Sequence, residues 1–359
     1  MDAVVVWLDT TNKEYIEQRN KDFKDHVTYD IHRVGKRDEL RFCLRGLYYN
    51  LPWLRKIYLL GWKNQFPEWL DETVCSKSNP PIIKINRELL NDGKYLYGSP
   101  AIEACMYKIP GLSDLFIYAN SDTFVIKKMS KEQWVTKNGI GKLQIADPIQ
   151  FNSETYKFNP SSWESTFIYS QVSLFIKKFN IPNFPFFHPT HQITLMSKNA
   201  FKDVRKAFPE LYKTTINLKG REEKLYITRT LIEYVSILNG YCKISDTKIT
   251  SKYLNWLTDY STYKIHSNVS LLCTNLNSYF KKRKYNDYMR FMVKLLPKPI
   301  PGEKYMSYEQ KCYYTYNNSL APSICEGKPN TTNDNISLIS NIRTTRKKRQ
   351  RSKRTTRRH

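Results

Sequence analysis

The stretch that most constrains this chain is Ser99–Asp122, SPAIEACMYKIPGLSDLFIYANSD, which compresses a helix, a tight turn and a buried strand into one run. Leu115-Phe-Ile-Tyr-Ala119 is almost continuously apolar, the pattern of a strand covered on both faces in an α/β sheet. Asn120-Ser-Asp122 marks its exit. Ligands of open α/β folds collect at the carboxyl ends of the strands. Asp122 therefore stands where a carboxylate can hold a metal or a phosphate-bearing ligand, or, more simply, cap the next element as a turn residue. Ser99 reads as the N-cap of the preceding helix, with Pro100 at its first position and Glu103 in its first turn. Glu103 is then either a carboxylate favoured by the helix dipole or a group aimed into a cleft.

The segments before this stretch alternate strand and helix. Ala3–Leu8 is a β-rich run ending at Asp9-Thr-Thr-Asn12, a second strand end that carries a carboxylate. Arg37–Leu47 has apolar residues at 40, 43, 44 and 47, the helical period, and Arg41 and Arg45 lie one turn apart on it. That pair grips a phosphate or forms a solvated face with Asp38 and Glu39. Strands are expected at Ile57–Trp62 and Pro81–Ile85, with a loop and short helix over Gln65–Leu70. The alternation predicts an α/β, Rossmann-like fold with a mostly parallel sheet flanked by helices.

Beyond Asp122 the pattern loosens. Residues 123–187 are rich in aromatics and Asn, with a helical stretch near 163–179, and are expected to form an inserted helical or irregular subdomain that covers the sheet. Phe187-His188-Pro-Thr-His191-Gln192 follows. An HxxH pair without a third ligand of matching spacing signals zinc only weakly; a base for a hydroxyl group is the alternative. Helices are expected over Phe201–Glu210, from Lys219 to about Asn239, and over Tyr285–Leu296, with a last strand at Ser270–Asn277.

Composition bounds the class. A chain of 359 residues holds one large or two modest domains with a substantial core. Its seven cysteines are an odd, scattered set without a CxxC pair, which favours a reduced compartment over a disulfide framework. An acidic residue precedes only six apolar ones at the start, and no apolar run has membrane-spanning length, so a cytoplasmic location is expected. The net charge of +25 is unevenly placed, because Arg343–His359 holds ten Lys or Arg and no acid. This tail has no apolar residue to bury and is expected to be disordered. It suits an anionic partner, a nucleic acid or a membrane surface. The expected division is a domain over 1–322, with its cover at about 123–187, and a tail over 323–359 that is strongly basic from 343.

Taken in order, these pieces resemble the Stealth family. Its members include bacterial capsular-polysaccharide hexose-1-phosphate transferases and the animal enzyme that places N-acetylglucosamine-1-phosphate on lysosomal glycoproteins. Val5-Val-Trp-Leu-Asp9-Thr-Thr resembles the family's opening block. The longest match runs through Asp38-Glu-Leu-Arg-Phe-Cys-Leu-Arg-Gly-Leu, Pro52-Trp-Leu-Arg-Lys-Ile, Pro67-Glu-Trp-Leu70, Ser99-Pro-Ala-Ile-Glu103, Ile109-Pro-Gly-Leu-Ser113 and Phe116-Ile-Tyr-Ala-Asn-Ser-Asp122. A third block is similar at His191-Gln, Phe208-Pro-Glu, Thr214-Thr and Arg221, and a fourth, weaker one at Leu272-Cys-Thr-Asn-Leu-Asn277.

The resemblance implies a nucleotide-sugar-transferase-like fold and a metal-dependent enzyme. Such an enzyme moves a sugar-1-phosphate from a nucleotide-sugar donor to a hydroxyl of a glycan or glycoprotein acceptor, forming a phosphodiester. It implies Mg²⁺ or Mn²⁺ held by Asp122, with Glu103 as an active-site acid, His191 as general base and Arg221 steadying the phosphate. Asp9 would lie by the nucleotide, and Arg41, Arg45, Ser99 and Asn120 would bind substrate. The chain departs from the family where Ser121 and Leu276 replace acids, Thr10 a glycine and Asn12 an aspartate. Those departures leave an alternative, a catalytically inactive nucleotide-sugar binder or a nucleic-acid-binding protein using the basic tail.

Overall fold

Asp2–Val6 (β1) has four fully or nearly fully buried residues in five and lies at the centre of the main sheet. A computed structural model describes residues 1–22, 38–149, 163–218, 225–255, 257–276 and 282–304. Arg221, most of the tail's approach and the whole basic tail fall outside them. Among the described residues, β1 is followed by α1 (Lys13–Asp22), α2 (Glu39–Asn50), β2 (Ile57–Gly61), α3 (Glu72–Cys75), β3 (Ile82–Asn86), α4 (Ser99–Cys105) and β4 (Leu115–Asn120). Then come β5 (Thr123–Val125), β6 (Gly141–Leu143), β7 (Ile145–Pro148), α5 (Trp163–Phe179), β8 (Phe187–Pro189), β9 (Thr194–Ser197), α6 (Lys198–Ala207) and α7 (Pro209–Ile216). The last elements are α8 (Arg229–Leu238), β10 (Cys242–Ile244), β11 (Ser251–Asn255), β12 (Leu271–Asn275) and α9 (Lys282–Leu295).

The main sheet has the order β3-β2-β1-β4-β9. β1 runs parallel to β2 and β4, β2 runs parallel to β3, and β9 closes the edge antiparallel to β4. This is the α/β, mostly parallel, Rossmann-like arrangement expected from the strand–helix rhythm. Strand order reverses between β1 and β4, which makes their carboxyl ends the place where a crevice opens. A second sheet, β11-β12-β5, stands beside it.

One face of the main sheet is sealed by a single apolar cluster. Val4, Tyr58, Phe116 and Tyr118 of the sheet meet Ile102 of α4, Val172 and Phe175 of α5, Phe201 of α6, and Leu231 and Val235 of α8. The helical stretch expected at 163–179 thus forms and joins the main core. On α2, Leu40, Phe42, Cys43, Leu44 and Leu47 are all buried, and so are Arg41 and Arg45 at 1% exposure each.

Three local expectations need correction. Gly98, not Ser99, is the N-cap of α4; Ser99 is exposed, caps nothing, and Glu103 lies beyond the first turn. Of the helix expected from Lys219, residues 219–224 lie outside the described residues; 225–228 form no helix, and α8 starts at Arg229 behind the extended N-cap Thr228. Pro209 ends α6 as expected, but it also opens α7, since a proline is well placed in a first turn.

Candidate active site

The corner Asn120-Ser121-Asp122 is where the chain leaves one sheet and enters the other. β4 ends at Asn120 and β5 begins at Thr123. Thr123 Oγ1 donates to the Asn120 carbonyl at 2.7 Å, and the Thr274 amide donates to the Asp122 carbonyl at 3.0 Å. Thr123 pairs with Cys273 across the β5–β12 ladder. Asp122 is therefore brought beside Cys273 by backbone pairing alone.

The same corner receives His191 from the other side. Tyr118 of β4 faces Thr194 of β9 in antiparallel register, so the loop before β9, which carries His191, comes to the end of β4. Asp122, His191 and Cys273 each present one potential ligand atom, all within 4.8 Å of one another. Asp122 is half-buried, His191 exposed and Cys273 buried. The His191 ring stands edge-on to Tyr253, with centroids 5.7 Å apart. Burial pushes the Cys273 thiol up, and the carboxylates of Asp122 and Glu39 push it further.

Behind the corner lies a buried polar relay. The Tyr118 hydroxyl is 2.9 Å from Glu103 Oε1 and 2.9 Å from Asn120 Oδ1. Burial, and then the Glu103 carboxylate, hold the phenol far above its ordinary pKa, so it remains protonated. Arg229 reaches the carbonyls of Gln192, at 3.4 Å, and Thr190, which flank His191. It also lies 4.0 Å from Glu233, whose carboxyl is raised by burial against the lowering effect of Arg229 and a 3.1 Å hydrogen bond from Thr194.

In front of the corner is a cleft of about 390 Å³, within the size range of small-ligand sites. Asp9, Thr10 and Asn12 line it from the end of β1, Asp38 and Glu39 from the start of α2, Gln65 and Trp69 from the loop after β2, and Ser121 from the end of β4. The Asp9 loop is shaped from within. Asp9 Oδ1 accepts from the Thr11 amide at 2.9 Å and hydroxyl at 2.6 Å, and Gln65 clasps the Asp9 amide at 3.0 Å and carbonyl at 3.1 Å.

The structure brings together Asp122, His191 and Cys273, with Glu103 and Asn120 behind them and Asp9 across the cleft. It takes Arg41 and Arg45 away. Both guanidinium groups bind Glu303, whose side chain is itself only 1% exposed; Arg45 contacts are 2.5 and 3.1 Å. A buried, ion-paired arginine has no face for a substrate phosphate, so the expected phosphate grip and solvated face both give way to a structural role. Arg41 does stack on Trp69 at 4.3 Å and so backs one wall of the cleft. Ser99 is exposed at the start of α4 and Arg221 lies outside the described residues.

The sequence reading missed Cys273, Tyr118, Arg229 and the cleft-facing role of Glu39. Cys273 and Tyr118 stood inside matched blocks but looked like strand residues. Nothing in the chain's spacing signals Arg229.

Residues 33–143 match Stealth protein CR2, conserved region 2 of that family. A capsular polysaccharide phosphotransferase of Neisseria meningitidis serogroup B is 30% identical over 253 residues, 67% of this chain and 65% of that protein. The chain belongs to the Stealth family. Another Stealth relative, the capsular polysaccharide phosphotransferase SacB of serogroup A, is 27% identical over 69% of this chain and 45% of its own length. The chain thus spans between about half and two thirds of these curated relatives. Among solved structures, this Stealth chain is similar to the galactosyltransferase LgtC bound to donor and acceptor sugar analogs, with a TM-score of 0.43, 11% identity and coverage of 87% and 100%. The bifunctional glycosyltransferase WbbM gives a TM-score of 0.46 at 11% identity, covering 87% of this chain and 51% of that one. The fold class rests on the strand order itself. Among the described residues no helix is long and apolar enough to cross a membrane.

Proposed function

We propose that this chain transfers a sugar-1-phosphate from a nucleotide sugar to a hydroxyl of a glycan or glycoprotein acceptor. The observation that carries this reading is the convergence, at the β1/β4 switch point, of a polar cleft lined by Asp9, Glu39 and Ser121 with the corner that holds Asp122 and His191. Relatives named capsular polysaccharide phosphotransferases support it.

In this reading the acceptor oxygen attacks the phosphorus that carries the sugar. The bond from that phosphorus to the nucleoside phosphate oxygen breaks, a phosphodiester forms and a nucleoside monophosphate leaves. The hydroxyl proton passes to the exposed imidazole of His191, which Arg229 orients through the carbonyls on either side of it. Glu103, held by Tyr118, directs substrate hydroxyls at the end of β4. A divalent cation, when bound, would neutralise the diphosphate. Asp122 is the group's only carboxylate; its imidazole and thiol companions do not fit the oxygen cage that Mg²⁺ requires. No step above therefore runs through the metal.

The test incubates the full chain with a panel of nucleotide sugars and either Mg²⁺ or Mn²⁺, then measures nucleoside monophosphate and new phosphodiester. Release is expected with at least one donor and is abolished in a folded His191→Ala variant. Silence across the whole panel overturns the reading.

A further inference from the structure

The donor set at the corner belongs to a different class of cation from the one the family resemblance implies. Oxygen-only ligation selects Mg²⁺, whereas thiolate and imidazole select borderline and soft ions. Here one carboxylate, one imidazole and one thiol face a common point. A deprotonated Cys273, ionised Asp122 and neutral His191 together carry two negative charges, which balance a divalent cation. Two of the three are fixed by backbone, Asp122 by its carbonyl's bond from the Thr274 amide and Cys273 by its place on β12. The third is carried on the exposed loop that Arg229 clasps.

We infer that Asp122, His191 and Cys273 form a binding site for a thiophilic divalent cation of the Zn²⁺ class, with a fourth position open to water or a substrate oxygen. Tetrahedral zinc places neighbouring ligand atoms roughly 3.5 Å apart. The present separations, all within 4.8 Å, close to that value by side-chain shifts of about an ångström. On binding, the Cys273 S–H bond breaks, its electron pair goes to the metal and the proton is released to solvent. Ser121, beside Asp122, and Leu276, three residues after Cys273, stand where the family resemblance expects acids, so the corner holds fewer carboxylates than that resemblance implies.

One consequence rests on the transferase reading. An imidazole nitrogen that ligates a metal has no lone pair for a proton, so occupancy by Zn²⁺ and base catalysis by His191 through that nitrogen exclude each other. Micromolar Zn²⁺ then inhibits transfer. Binding itself does not depend on that reading.

The experiment strips the full-length protein with a chelator and titrates it with Co²⁺, whose bond to a thiolate gives an intense near-ultraviolet charge-transfer band. The band is expected to saturate at one equivalent, to vanish in Cys273→Ser and to be displaced by Zn²⁺. His191→Gln and Asp122→Asn are each expected to weaken Co²⁺ binding about tenfold or more, with metal-free melting temperatures unchanged. Absence of the band overturns the inference. So does a band that survives Cys273→Ser, which would put cobalt on other cysteines, or one whose affinity is indifferent to both other substitutions. Should Cys273→Ser fail to fold, the exposed His191→Gln variant still decides. The spectrum needs no turnover, so a silent transferase assay with a positive cobalt titration would overturn the activity and leave the site standing.

Discussion

Glu103 and Tyr118 meet behind the candidate site, with the phenol hydroxyl 2.9 Å from the carboxylate Oε1. The same hydroxyl is 2.9 Å from Asn120 Oδ1, yet it has one proton to give. Its high pKa keeps that proton in place, so Tyr118 acts as the anchor of the acid. Tyr118→Phe removes only the anchor. A hydrogen bond to a charged group is worth about 1.5–3 kcal/mol, so kcat for nucleoside monophosphate release is expected to fall about tenfold or more, with the fold retained by circular dichroism. An unchanged kcat would dissociate Glu103 from turnover.

Arg229 brackets His191 by binding the carbonyls before and after it. Arg229→Lys keeps the charge but not the fork that serves two acceptors at once. Activity is expected to order as wild type, then Lys, then Ala, with the loss mainly in kcat. Equal activity in Lys and Ala variants would mean that charge and fork are both dispensable.

Asp2 sits at the foot of β1 and accepts from Arg55 Nε at 2.9 Å, Arg55 Nη2 at 2.6 Å and the Ser113 amide at 2.8 Å. Burial alone would raise its pKa, but the Arg55 and Ser113 bonds outweigh burial and hold it below the ordinary value. Stability from a depressed carboxylate is complete above its unfolded pKa of about 3.9 and drains as pH falls through the folded value. Asp2→Asn is therefore expected to cost most at neutral pH and to converge on wild type in acid-limb denaturant titrations. A constant penalty at all pH values would deny the linkage.

Glu303 neutralises two arginines that are each about 1% exposed. Removing one partner of a buried ion cluster costs about 3–5 kcal/mol, because the remaining charges are stranded. Glu303→Ala is expected to lower the unfolding free energy read from urea titration by that amount. Replacing all three members with apolar residues of similar volume is expected to restore most of it.

At Gly46 in α2, a Cβ would stand 2.6 Å from the carbonyl oxygen and 3.0 Å from the nitrogen of Val125 in β5. A helical glycine ordinarily gains about 0.5–1 kcal/mol on change to alanine. Here backbone blocks the methyl group, and overpacking of about 1–3 kcal/mol wins. Gly46→Ala is expected to be less stable than wild type by thermal melting.

Local patterns carried much of this fold. The apolar run at Leu115–Ala119 and the helical period of α2 specify elements through short-range sequence, and both stand close to where they were expected. What stayed hidden depends on long-range pairing. Cys273 becomes a neighbour of Asp122 through a ladder between segments some 150 residues apart, and Arg229 meets the His191 loop through helix placement. The error over Arg41 and Arg45 has the same origin. A helix whose every face is covered shows the same period as one covered on a single face, and its acid partner lies 258 positions from Arg45.

That long interval gives the Glu303 cluster a temporal meaning. The segment carrying it also bonds to the loop that holds Trp69 of the cleft wall: its Gly302 carbonyl accepts from the Asp71 amide, and its Lys304 amide donates to the Trp69 carbonyl. A ribosome adds about 5–20 residues per second, so the two arginines wait roughly 13–50 s of synthesis for their counter-charge. Until then Arg41 has Asp38 within its own segment, 3.7 Å away in the folded chain, while the contacts of both arginines with Glu303 are still to form. The ion cluster that backs one wall of the cleft is therefore completed only when nearly the whole described body has been made.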